Sequence, residues 1–163
     1  MVVDTGDRAY VVGLKMLARR ELSEAQVRSR LERRRTFDAD EIASAVARLR
    51  RERALDERRT ALACARTEIR VKRHGRMRVL RQVESLGISR PVARAAVNEA
   101  FADVDEKAML EDAIARRVRR RAIGDAADVR RVHRYLLVQG FDPAEIATAL
   151  RKRTKSARFI NDD

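Results

Sequence analysis

Residues 140–150 read GFDPAEIATAL, and this stretch decides the fold. Gly140 stops whatever precedes it. Asp142 can cap a new helix, Pro143 fits the first helical position because the amide there has no intrahelical acceptor, and Glu145 stands three residues after the cap. Ile146 and Leu150 follow at i and i+4, the spacing of one buried helix face. The same arrangement occurs twice earlier. Phe37-Asp38, Ile88-Ser89 and Phe141-Asp142 each set an apolar residue before a capping residue, at spacings of 51 and 53. Five positions on from the apolar residue come Ile42, Ala93 and Ile146, and nine on come Val46, Val97 and Leu150. A period near 50 residues marks a repeat architecture in which a small unit stacks on copies of itself. Such an array presents a long surface and no deep pocket, so its partner should itself be extended.

Outward from these starts the chain reads as helix throughout, with no alternation of period two bounded by turns. The expected fold is all-α, an elongated tandem array of three three-helix repeats at 7–53, 54–101 and 103–153, followed by a frayed tail at 154–163. In the first repeat, Tyr10, Leu14, Leu17 and Ala18 share one helix face. Ser23 with Gln26 and Asp38 with Glu41 form two capping boxes. In the second, Asp56 starts a helix of about sixteen residues, Gly75 breaks it, Gly87 ends the next, and Ser89 caps the third. In the third, a helix from Asp103 or Asp105 carries Leu110, Ile114 and Val118 and stops near Gly124. Asp125 caps another, which Gly140 ends. Units of this size are marginal alone and should lean on one another. Aromatics make up only 4% of the chain and there is no Trp, so thin cores are expected.

The net charge is +13, from 33 Arg and 5 Lys against 25 acidic residues. That balance points to a polyanionic partner, nucleic acid or an assembly holding it. No strongly apolar helix face stands opposite the basic residues, so a membrane surface fits less well. The single cysteine, Cys64, cannot form an internal disulfide and reads as a small buried hydrophobe in a reducing cytoplasm. Residues 1–7 lack the basic and apolar regions of a signal peptide, and no stretch nears the roughly 18 apolar residues of a membrane span.

No catalytic constellation is present, and neither a phosphate-cradling P-loop nor a dinucleotide fingerprint occurs. His74 and His133 stand apart without neighbours at metal spacing and read as surface or boundary residues. The chemistry lies in the basic runs. Arg66, Arg70, Lys72, Arg73, Arg76, Arg78 and Arg81 are opposed by Glu68 alone, a local charge of +6. Arg66, Arg70 and Arg73 have the i, i+4, i+7 spacing of one helix face. A second run is Arg116, Arg117, Arg119, Arg120 and Arg121, and a third is Arg28, Arg30, Arg33, Arg34 and Arg35. Arginine forks suit phosphates. The aromatics mostly occupy core positions, so a base-stacking platform is not expected, and any nucleic-acid contact should run through phosphates.

In order and spacing the chain resembles the RecX family, regulators of the RecA recombinase, over roughly residues 7–153. The resemblance rests on Ala9-Tyr10 with Leu14, on Leu17-Ala18-Arg19-Arg20-Glu21 before Ser23-Glu24, and on Leu55-Asp56-Glu57 with Ala61. It continues in Gly75-Arg76, in Leu86-Gly87-Ile88-Ser89, and in Gly140-Phe141 with Ile146. Asp56, Glu57, Gly75, Gly87, Ile88, Gly140 and Phe141 are the structural motif residues it implies. Thr60 and Cys64 stand where members usually carry aromatics. Thr36 replaces a usual glycine, and one extra residue lies between Leu31 and Phe37. These departures should weaken packing in the first two units. The resemblance implies a monomeric, cofactor-free, non-enzymatic protein that binds RecA and its filament on single-stranded DNA. It further implies restraint of filament extension, strand exchange, ATP hydrolysis and LexA cleavage. Charge alone would also suit a basic nucleic-acid-binding module independent of RecA.

Overall fold

Local side-chain bonds set most of the helix starts. The Ser23 hydroxyl accepts from the Gln26 amide while the Gln26 side chain accepts from the Ser23 amide, and Asp38 and Glu41 repeat that box. Asp56 accepts from the amide of Arg59, Asp105 from that of Ala108, and Asp125 from that of Asp128. Asp142 accepts from Ala144 and Glu145, with Pro143 leading the helix. Each bond satisfies an amide that the first helical turn leaves without an acceptor. Ser89 differs from expectation. It occupies the cap position in extended backbone, but its side chain makes no capping bond.

The structure is a computed structural model describing the backbone of residues 5–120 and 122–160 and the side chains of 7–120 and 122–153. The described residues form nine helices and no strand. They are α1 (Thr5–Leu17), α2 (Glu24–Glu32), α3 (Ala39–Arg51), α4 (Glu57–Arg70), α5 (Arg76–Glu84), α6 (Arg90–Phe101), α7 (Glu106–Arg120), α8 (Ala126–Gln139) and α9 (Pro143–Ile160). The backbone stays helical beyond Thr154 to Ile160 rather than fraying there. Residues 161–163 of the expected tail lie outside the described residues.

The helices pack in consecutive sets of three. α1 lies along α3 and α4 along α6, whereas in the last set α8 packs against both α7 and α9. The surface of the chain measures 10977 Å². A compact monomer of this mass would expose about 8,300 Å².

The cores are not three. One apolar cluster holds Leu22, Val27, Leu31, Ile42, Val46, Leu49 and Leu55. A second runs without interruption from Ala61 on α4, through Val83, Val97 and Ile114, to Leu136 and Leu150 on the last two helices. The second and third units therefore share one interior, and the first has its own. Between the two clusters lies a polar seam. The buried Thr60 hydroxyl reaches the carbonyl of Leu22 at 3.2 Å, and the buried Ser23 hydroxyl donates to the carbonyl of Leu86. Thr60 fills the place where an aromatic was expected, and it serves the joint by hydrogen bonding.

Both joints follow one plan. At the first, the cap residue of α2, Ser23, bonds the carbonyl just before Gly87. At the second, the cap residue of α5, Gly75, donates its amide to the carbonyl of Gln139, just before Gly140, at 2.8 Å. Gly87 and Gly140 both have positive φ, 79° and 89°. A Cβ on Gly87 would come within 2.5 Å of Ala25, and one on Gly140 within 2.3 Å of the Arg78 amide nitrogen. The glycines thus meet a demand of handedness and a demand of space. In the first unit the corresponding turn carries Arg35 and Thr36, and Arg35 itself takes the positive φ, 51°.

Candidate functional site

The basic run of the middle unit does not form one face. α4 ends at Arg70, so Arg73 lies in the following turn, at φ 57°, and the i+7 spacing from Arg66 does not apply. Three of the seven cations are engaged within the fold. Arg76 grips Glu106 through two nitrogens, at 2.6 and 3.2 Å, bonds Asn98 at 2.9 Å, and lies 4.5 Å over the Phe101 ring. It ties the start of α5 to the start of α7. Arg78 donates to the carbonyl of Val138 across the second joint. Lys72 bonds the buried carboxylate of Glu68 at 2.6 Å. Arg66, Arg70, Arg73 and Arg81 are exposed and have no side-chain partner among the described residues.

Glu68 organises the turn. Its second oxygen meets Nδ1 of His74 at 2.6 Å, and the His74 amide returns to the Glu68 carbonyl. Burial pushes the Glu68 carboxyl up, but the bonds from Lys72 and His74 outweigh it and hold its pKa below the ordinary carboxylate value. His74 is accordingly buried, where its sequence position suggested a surface or boundary residue. Cys64 is half-buried rather than fully buried. Burial, aided by Glu68, pushes its thiol pKa up, the wrong direction for a nucleophile. Among the described residues no cluster of His, Cys, Asp and Glu is placed to hold a metal ion, and no helix is long and apolar enough to cross a membrane.

Folding joins two runs that are distant in sequence. A groove of about 250 Å³ at the joint of the second and third units is lined by Lys72 and Arg73 from the α4–α5 turn and by Arg116, Arg117 and Arg120 from the end of α7. Val71, Tyr135 and Gln139 complete its polar and apolar edges. The Arg117 guanidinium sits 5.1 Å over the Tyr135 ring, which fixes one wall. Val71 is 75% exposed and Val138, whose carbonyl Arg78 holds, is 62% exposed. Arg121, the last member of the second run, lies outside the described residues.

Sequence reasoning missed the apolar part. The aromatics were expected mostly at core positions, and Tyr135 is an exposed exception. Val71 and Val138 carried one available signal, apolar identity at positions off the core periodicity of α4 and α8. The third basic run, on α2 and the turn after it, joins neither of the other two. Arg28 pairs with Glu24, while Arg30, Arg33 and Arg34 face a groove shared with α1.

These features define an all-α repeat protein with an open, arginine-rich and partly apolar face. The family model for the first three-helix domain of RecX matches residues 9–49. The regulatory protein RecX of Syntrophotalea carbinolica is 32% identical over 138 residues, covering 83% of this chain and 90% of that protein. The chain belongs to the RecX family of regulatory proteins. Its fold is similar to the crystal structure of RecX from Lactobacillus salivarius, with a TM-score of 0.75 at 18% identity over 93% of this chain and 97% of that one. A second crystal structure, of a regulatory protein RecX, gives 0.75 at 16% identity over 91% and 72%.

Proposed function

We propose that this protein is a non-enzymatic, cytoplasmic regulator that binds RecA and its filament on single-stranded DNA. There it restrains filament extension, and with it strand exchange, ATP hydrolysis and LexA cleavage. The reading needs no cofactor and a single copy of the chain, organised as the repeats 7–53, 54–101 and 103–153. Membership of the RecX family supports the partner. The observation that carries the contact surface is the groove between the second and third units, where five cations stand beside exposed Val71 and Tyr135. Apolar side chains among arginines suit a protein surface with carboxylates better than a bare phosphate backbone. An extended array can touch several protomers of a helical polymer, and weak contacts then add through effective concentration.

Arg70, Arg73 and Arg117 are the residues to test, because their charges are not spent on internal ion pairs among the described residues. Arg76, by contrast, holds the fold together and is withdrawn from the contact set. Reversing the three to Glu should weaken inhibition of the RecA DNA-dependent ATPase about tenfold or more while helicity by circular dichroism stays unchanged. Undiminished inhibition by that variant would exclude this groove as the contact.

A further inference from the structure

A second basic concavity lies elsewhere, on the first unit. A groove of about 880 Å³ in the first unit is lined by Lys15 and Met16 of α1, Arg19 and Arg20 of the α1–α2 connection, Arg30 of α2, and Arg33 and Arg34 just past its end. Val12 supplies the rest of an apolar floor. Among the described residues six cations and no carboxylate line it. Among the described residues Lys15, Arg19, Arg20, Arg30 and Arg34 have no ion pair, and Arg33 reaches only the Ser29 carbonyl, at 3.2 Å. The concentration of like charge has a physical cost within the free protein. Burial, then the nearby guanidiniums of Arg20 and Arg33, push the Arg30 pKa down. Elsewhere on the first unit some arginines are paired within the fold. Arg28 meets Glu24, and Arg48 meets Asp7 and Glu52.

We propose that this groove is a nucleic-acid site that takes the phosphodiester backbone, independently of the face between the second and third units. Arginine forks suit phosphate oxygens, and a polyanion relieves the crowding of charge that the fold leaves unbalanced. No aromatic side chain lines the groove, so bases are not stacked there and binding is indifferent to sequence. With no carboxylate among its lining residues and all six of its cations free of ion pairs among the described residues, the groove suits a continuous polyanion better than a protein surface of mixed charge. The array then holds nucleic acid at one end and a protein partner further along.

The test uses the full chain without RecA, so that its outcome is separate from the regulatory reading. Fluorescence anisotropy with a single-stranded oligothymidylate and with a duplex of equal length is followed between about 50 and 200 mM salt. Replacing Arg20, Arg30 and Arg34 together by Gln should weaken binding to at least one of the two probes about tenfold at the low end. It should flatten the slope of log affinity against log salt by about 2 for the single strand, or nearer 3 for the duplex; the probe that shows the larger loss identifies the strand form. The same three positions changed to Lys should retain the slope, since the charge is kept. A control variant with Arg73, Arg116 and Arg117 changed to Gln removes equal charge from the other groove and should shift the slope by less than one. Equal losses from both Gln variants, or no loss from the first, would overturn the proposal. Displacement of the oligonucleotide by polyglutamate at equal charge concentration would overturn it in favour of an acidic protein.

Discussion

Glu68 lies buried on α4 and binds two cationic or titratable neighbours, Lys72 and His74, with its two oxygens. Those bonds shape the turn that presents Arg73 to the second-joint groove. Replacing Glu68 by Gln removes the charge and leaves one buried donor facing another, which should cost about 2 kcal/mol, read as a lower denaturant midpoint. The pH dependence follows from the depressed pKa. Unfolded, the carboxyl binds its proton near its ordinary value of 4.5; folded, it does so at lower pH. Its contribution is therefore present above 4.5 and is lost as pH falls through the folded pKa. The stability gap between wild type and Glu68→Gln should narrow below about pH 4. A gap that is constant down to the acid transition would show that the charge is not what matters. At this scale the sequence could name Glu68 only as the one acid in a basic run. Its burial depends on His74 being turned inward six residues later.

Between elements, the joints hold the array together by backbone meeting backbone. Gly75 and Gly140 touch, with the Gly75 amide on Gln139 and the Met77 amide on the Gly140 carbonyl at 3.1 Å. A Gly140→Ala change would set a Cβ against the Arg78 amide at a left-handed φ. It should destabilise the protein by about 2 kcal/mol or more. The strain lies next to the second-joint groove, so under the proposed function inhibition of RecA should fall with it even at temperatures where circular dichroism reports full helicity. Gly124, with φ outside the left-handed region and only the Asp128 carboxylate nearby at 3.6 Å, should accept Ala with little loss. Similar melting temperatures for the two variants would contradict this account. The sequence announced both joint glycines as helix stops, because a helix that ends in a left-handed residue favours glycine. It did not announce that each is also the floor on which the preceding unit stands.

Over the whole molecule, the polar seam at Ser23 and Thr60 divides the interior in two, and cooperativity should divide in the same place. Native-state hydrogen exchange should find the amides of α1–α3 opening at one free energy and those of α4–α9 at another, higher one. The larger core carries the interior of two units, and burial scales stability. A single opening energy across all nine helices would show that the seam transmits folding as well as an apolar contact does. The same division separates the two basic grooves, one on each body.

The all-α class, the threefold repetition and most helix starts were legible from the chain alone. They depend on interactions within four residues, such as Ser23 with Gln26, Asp38 with Glu41 and Asp142 with Glu145, and on apolar spacing that a helix makes local. Which arginines remain available for a partner was decided only by tertiary structure. Arg76 is taken by Glu106 thirty residues away, Arg73 is brought to Arg117, and Arg20 is brought to Arg34. A charge in a sequence has no fixed neighbours until the helices dock, and ion pairing falls off over a few ångströms. Its function is therefore settled by packing rather than by its run.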